Sequence, residues 1–136
     1  MILMIYIDAK DMILGRLASH VSKSLLNGES VYVVNAEKSV IVGKPHSILA
    51  EYKERRSRGD PYHGPFFPKT PERIVRRTVR GMLPYKTARG REAFKRLKVF
   101  ISIPSDLREV EFVEVRDAMN RGEQKFMTLG KLTELL

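Results

Sequence analysis

The sequence has no cysteine and no tryptophan among its 136 residues. Without cysteine there can be no disulfide framework, thiolate nucleophile, Cys-rich zinc site or iron–sulfur cluster, so several enzyme classes fall away at once. Long apolar runs are missing too. The longest, Met1 to Ile7, stops at Asp8 and has no basic flank, so neither a signal peptide nor a membrane span is expected, and a cytoplasmic location is implied. The three histidines, His20, His46 and His63, are scattered without metal-ligand spacing. There is no G-x-S-x-G elbow and no dinucleotide fingerprint. Val42-Gly43-Lys44 looks like the end of a phosphate loop, but Lys38 stands where the earlier glycine belongs and Pro45 where the metal-binding hydroxyl belongs. Asp8 and Asp11 could hold a metal, yet turn formation explains them more simply. The expectation is no catalytic residue, no metal, no cofactor, no small-molecule substrate and no membrane partner.

What the chain does have is positive charge in one place. It carries 25 Lys+Arg against 16 Asp+Glu, a net charge of +9, and residues 51–100 hold 15 of the basic and only 5 of the acidic residues. The remainder of the chain is close to neutral. Such concentration is the electrostatic footprint of a polyanion-binding surface, most often nucleic acid, in preference to a merely solvated basic face. With 43% apolar residues, a chain of this size buries roughly two thirds of its unfolded surface, so residues 1–136 are expected to form a single domain.

Apolar patterning gives the organisation. Ile5-Tyr6-Ile7 reads as a buried strand, and Leu14, Leu17, Ala18, Val21 and Leu25 form the inner stripe of a helix from about Leu14 to Asn27, stopped by Asn27-Gly28. Val31 to Val34 and Val40 to Val42 are short β-branched runs, and strand–helix–strand order suggests a parallel sheet. A second helix is expected from about Pro45 to Arg58. Arg58 to Pro71 carries four of the seven prolines, Pro71 included, with Tyr62, Phe66 and Phe67, the composition of a semi-rigid loop. Helices are expected next from Pro71 to about Leu83 and from about Gly90 to Arg96, then a strand at Val99-Phe100-Ile101. Alternation in Val110 to Val115 suggests an edge strand, and Thr128 caps a terminal helix.

The most informative stretch is Thr70 to Leu83. Thr70 suits a cap, Pro71 the first helical position and Glu72 the positive helix start. At about 100° per residue, Arg73, Arg76, Arg77 and Arg80 share an arc of about 100°, and Ile74, Val75, Val79, Met82 and Leu83 lie opposite. Like charges at this spacing cost a few tenths of a kcal/mol per pair, which an external anion would remove. Arginine also binds phosphate oxygens in bidentate fashion. The competing explanation is internal pairing with Glu109, Glu111 or Glu114. Gly81, Pro84 and Gly90 punctuate the segment between Gly81 and Lys98, where Ala93, Phe94 and Leu97 can face the core. Expected polyanion contacts are Arg55, Arg56 and Arg58, then Lys69, Arg73, Arg76, Arg77 and Arg80, then Lys86, Arg89, Arg91, Lys95, Arg96 and Lys98. Tyr62, Tyr85, Phe66 and Phe67 could stack on unpaired bases, but pinning the loops to their own domain is the favoured reading.

Four segments carry a family likeness: Gly15-Arg16-Leu17-Ala18-Ser19, Val34-Asn35-Ala36-Glu37-Lys38, Arg77-Thr78-Val79-Arg80-Gly81-Met82-Leu83-Pro84, and Arg96-Leu97-Lys98-Val99-Phe100. In this order they resemble the universal large-subunit ribosomal protein L-thirteen family over roughly residues 5 to 104, and Thr128-Leu129-Gly130-Lys131-Leu132 keeps the likeness in the tail. The Gly81-Met82-Leu83-Pro84 motif with the downstream Gly90 is the most specific part. Arg76 to Arg80, Lys86-Thr87 and Gly64-Pro65-Phe66 look archaeal or eukaryotic, with archaeal favoured. Ser102 stands where relatives usually carry glycine, and Ser105 where a second proline is common. The resemblance implies a three-layer α/β/α domain around a mostly parallel four-stranded sheet. It implies large-subunit ribosomal RNA and neighbouring large-subunit proteins as partners, and a structural role in subunit assembly and translation. Two other readings remain beside it. One is a free-standing RNA-binding regulator of translation. The other is a phosphate-binding α/β enzyme, which would gather acidic or histidine groups beside the cations in one pocket.

Overall fold

A computed structural model describes residues 4–58, 68–120, 122 and 125–136. The readings made on Met1, Tyr62, His63, Gly64, Pro65, Phe66 and Phe67 lie outside these. The order of elements is β1 (Met4–Asp8), α1 (Leu14–Leu26), β2 (Ser30–Val34), β3 (Val40–Val42), α2 (Pro45–Ser57), α3 (Pro71–Met82), α4 (Ala88–Lys95), β4 (Leu97–Val99), β5 (Phe126–Thr128) and α5 (Leu129–Leu135). This is the α/β architecture expected, with a mostly parallel sheet.

β1, β2 and β4 pair in parallel in that order, with Ile5 opposite Val31 and Val31 opposite Leu97, then Ile7 opposite Val33 and Val33 opposite Val99. Because alternate residues share a face, these two rows form one apolar surface. The stripe of α1 (Leu17, Ala18, Val21, Leu25) packs there with Val79 and Leu83 of the α3 end and Ala93 of α4, all buried. Each such side chain contributes about 1.5–3 kcal/mol of burial for the larger residues. The helix α1 ends as its sequence indicates. Gly28 takes φ +92° and its N–H returns to the Leu25 carbonyl at 3.1 Å.

The expected single four-stranded sheet is corrected by β3. Only five residues, Asn35 to Ser39, join β2 to β3, and they hold a 3-10 turn at Ala36–Lys38. A parallel neighbour needs a crossover of about a dozen residues or more, so β3 cannot join the sheet beside β2 as the parallel strand expected. It turns away instead, with Asn35 at φ +56°, and pairs antiparallel with β5, Ile41 opposite Met127. The sheet is thus three-stranded, accompanied by a two-stranded ribbon. Around the ribbon a second apolar cluster gathers Ile48 and Tyr52 of α2, Ile74 and Val75 of α3, and Leu129 and Leu132 of α5.

Other boundaries move for local reasons. The strand expected at Val99-Phe100-Ile101 runs instead over Leu97–Val99, because Leu97, read as a core-facing residue at the helix end, fits the strand alternation of Leu97 and Val99 as well as a helical face. Val110 to Val115 forms no strand. Only Val113 meets the β1 edge, its N–H donating to the Tyr6 carbonyl at 2.7 Å. Further on, the Ala118 carbonyl accepts from the Ile13 N–H at 2.7 Å and the Asn120 N–H donates to the Asp11 carbonyl at 2.9 Å. Met82, expected in the apolar stripe, is 44% exposed, whereas Leu83, extended after the helix ends, turns into the core in its place. Thr128 does cap α5, accepting from the Lys131 N–H at 3.2 Å.

Among the described glycines, Gly90 leaves the least room for a side chain. A Cβ there would lie 2.0 Å from the Pro84 carbonyl oxygen and 2.9 Å from the Tyr85 nitrogen, both backbone atoms that cannot swing aside. Gly90→Ala is therefore expected to lower unfolding free energy by at least about 1–3 kcal/mol, the range for overpacked interiors. Urea unfolding followed by circular dichroism measures it, and an unchanged midpoint would remove the steric role assigned to Gly90.

Candidate nucleic-acid interface

The helix α3 is two-sided because of its sequence. Ile74, Val75 and Val79 are buried, and Arg73, Arg76, Arg77 and Arg80 are exposed along the opposite side. With Pro68, Lys69, Thr70 and Phe94 these arginines line an open groove of about 600 Å³. No acid and no histidine is among its described lining residues. Pro71 occupies the first turn as expected, but Thr70 makes no side-chain cap. Its hydroxyl and Glu72 Oε2 are buried without a hydrogen bond among the described residues.

Aromatic rings set two of these arginines. The Arg76 guanidinium lies 4.9 Å from the centroid of the Phe94 ring, and that of Arg80 4.1 Å from the Tyr85 ring. Such stacks contribute about 0.5–1 kcal/mol each at exposed sites and leave guanidinium edges able to donate. Tyr85 and Phe94 in turn meet edge to face at 5.7 Å. Tyr85 therefore pins its loop, the reading its sequence context favours. Sequence patterning presents Phe94 only as a core residue. Its position three and four residues from Arg91 and Gly90 gives no hint that it floors the groove. Among the described residues Glu109, Glu111 and Glu114 form no ion pair with Arg73, Arg76 or Arg80. Pairing with those three glutamates therefore does not account for Arg73, Arg76 or Arg80.

The corner between α3 and α4 aligns the two. Thr87 caps α4, accepting from the Gly90 N–H at 3.1 Å, while its own hydroxyl donates to the Pro84 carbonyl at 2.7 Å. Pro84 cannot continue a helix and favours an extended Leu83. Gly81 has nothing within 4 Å of where a Cβ would stand, so the helix end is open there.

The remaining cations divide. Arg96 donates to the Leu25 and Glu29 carbonyls, and Arg89 to the Leu26 carbonyl at 3.2 Å, so both cap the C-terminus of α1. Arg91 donates to the Lys86 carbonyl at 3.1 Å, and Lys95 sits 3.6 Å from Glu92. Arg55 and Arg58 pair along α2 with Glu51 and Glu54, and Arg55 also lies over Tyr52. Burial pushes the Tyr52 phenol above its usual range, an effect that neighbouring Arg55 opposes. Arg56 is half-buried near the same helix end, and Lys86 is exposed in the corner. Lys98 points to the other face of the sheet, 5.9 Å from the Tyr32 ring. The structure thus gathers Lys69, Arg73, Arg76, Arg77 and Arg80 in one groove and does not bring Lys98 or the α2 arginines into it.

Asp8 is occupied by turn formation, its Oδ1 accepting from the Lys10 N–H at 3.0 Å and from Asn35 Nδ2 at 2.9 Å. Among the described residues no three His, Asp or Glu side chains converge on a metal position. No described helix is long and apolar enough to cross a membrane.

Residues 3–106 match the family model described as Ribosomal protein L13. Proteins named large ribosomal subunit protein uL13 align over nearly the whole chain. That of Methanosarcina barkeri is 51% identical over 134 residues, covering 96% of each chain. That of Methanococcoides burtonii is 49% identical, covering 98% of this chain and 97% of its own. That of Archaeoglobus fulgidus is 48% identical, covering 96% and 85%. The chain belongs to the ribosomal protein L13 family. These three relatives are archaeal, in keeping with the likeness read from Arg76 to Arg80. Within this L13 fold Ser102 takes φ +57°, a conformation glycine adopts without strain. The Glu37 carboxylate accepts its N–H at 2.9 Å and holds the turn.

The division of cations yields a stability test. Arg96→Ala should cost about 1.5–3 kcal/mol by removing charged hydrogen bonds to α1 carbonyls. Arg76→Ala with Arg80→Ala should stay within about 1 kcal/mol of the parent, as exposed substitutions do. Equal losses in denaturant melts would contradict the assignment of Arg96 to the fold and of the α3 pair to a ligand.

Proposed function

We propose that this protein is a structural constituent of the large ribosomal subunit. It binds large-subunit rRNA chiefly through phosphates, neighbours other large-subunit proteins, and supports subunit assembly and translation in the cytoplasm. The observation that carries this reading is the α3 groove, where four arginines face outward over an aromatic floor with no acid among the described lining residues. Membership in the L13 family supports it independently. The chain works as one unit, residues 1–136, with its RNA surface centred on residues 51–100. Arg73, Arg76, Arg77, Arg80 and Lys69 make the principal contacts. Lys86, Arg91 and Lys95 extend them from the corner and α4, and Arg55, Arg56 and Arg58 add to them from α2. Arg89, Arg96 and Lys98 contribute charge while serving the fold. Gly81, Met82, Leu83, Pro84 and Gly90 form the corner that orients both helices.

The protein needs no cofactor, metal or small-molecule substrate in this role and catalyses nothing. No carboxylate and no histidine is among the described lining residues of the groove, and His20 and Asp117, which line a different groove, share no hydrogen bond among the described residues. No phosphoester turnover is expected from purified protein, and Asp8→Asn should change nothing in that assay. Hydrolysis that Asp8→Asn abolishes would establish catalysis instead.

Binding itself is tested with salt. The affinity for protein-free archaeal large-subunit rRNA should fall steeply on a log–log plot, with a slope of about 0.7–0.9 per neutralised phosphate. Arg76→Ala with Arg80→Ala should lower that slope by about two and reduce sedimentation with large subunits. A salt-independent affinity would refute phosphate recognition, and a protein found only outside subunits would favour a free-standing regulator.

A further inference from the structure

A second basic surface lies outside residues 51–100. The motif Gly15-Arg16-Leu17-Ala18-Ser19 sits on α1, and Arg16, His20 and Lys23 succeed one another at four and three residues on its exposed side. Facing them, a 3-10 turn at Arg116–Ala118 closes a groove of about 680 Å³ lined in part by Arg16, Ser19, His20, Lys23, Arg116 and Asp117. The wall is tied in place. Arg16 Nη1 donates to the Asp117 carbonyl at 3.3 Å, and the Ile13 N–H to the Ala118 carbonyl at 2.7 Å. This groove shares no described lining residue with the α3 groove.

Three permanent cations meet one carboxylate here, and among the described residues none of them is ion-paired. Concave walls focus their field on whatever enters. The polar lining is rich in donors, namely guanidinium, ammonium, hydroxyl and imidazole, the set that commonly contacts phosphate oxygens. Its apolar lining residues, Ile13, Val115 and Met119, are buried or half-buried, so the side chains that stand out into the groove are the cations and their polar neighbours. We propose that this groove takes a second stretch of rRNA phosphate backbone, so that the protein ties two RNA segments together. The inference rests on the ribosomal reading and adds a site to it.

The test is Lys23→Ala with Arg116→Ala, which leaves Arg16 and its bond to the turn intact. Its binding to protein-free archaeal large-subunit rRNA should show a salt slope lower by about two, one per cation, with unchanged thermal unfolding. Lys23→Arg with Arg116→Lys should keep the parental slope. Hydroxyl-radical footprinting should lose protection at a patch separate from the one lost in Arg76→Ala with Arg80→Ala. An unchanged slope and footprint overturn the proposal, while a weakened α3 variant in the same experiment leaves the ribosomal reading standing. Failure of both variants to alter binding would remove both. Loss of subunit incorporation with an unchanged RNA slope also overturns it, assigning the groove to an acidic protein neighbour.

Discussion

The structure depends on the burial of one side of α3. Val79, with Leu83 just past the helix end, belongs to the cluster beneath the parallel sheet, whereas Ile74 and Val75 belong to the cluster around the β3–β5 ribbon. The same twelve-residue helix thus serves both apolar clusters. Because its inner side is committed at each turn, rotation of α3 about its axis would expose apolar residues in one cluster or the other. The arginines opposite are consequently fixed in direction by hydrophobic packing, without any ion pair among the described residues to hold Arg73, Arg76 or Arg80. Charge display here is a by-product of core formation.

Much of this is legible in the sequence, for identifiable reasons. The stripes of α1 and α3 repeat at helical spacing over several turns, so their existence and inner residues follow from periodicity alone. The arginine arc follows from the same count. Sheet membership does not, because Val40 to Val42 has the composition of a parallel strand; the short connection after Val34 excludes only a parallel place beside β2, and long-range pairing with β5 decides the rest. Leu97 satisfies both a helical and a strand pattern, and long-range pairing with Val31 decides between them. Met82 falls on the inner arc by angle, yet it is the last residue of the helix, and the chain bends so that Leu83 fills the space.

The cations are the least separable from sequence. Arginines that cap α1 and arginines that face solvent are interspersed in residues 73–96, and nothing local distinguishes Arg96 from Arg91. What distinguishes them is distance along the chain: Arg96 reaches carbonyls more than sixty residues earlier. Local charge counts therefore overstate the number of side chains free for a ligand and miss the smaller group on α1, whose partner Arg116 arrives from the tail.

The close contact at Gly90 bears also on kinetics. With α4 seated against the Pro84 carbonyl and the guanidinium groups of Arg76 and Arg80 resting on rings, less of this part of the surface remains to be ordered at the moment of encounter. A surface already ordered spends little conformational entropy on association. Capture then becomes a matter of orientation and long-range attraction, fast in dilute electrolyte and slowed as counterions shield the approach.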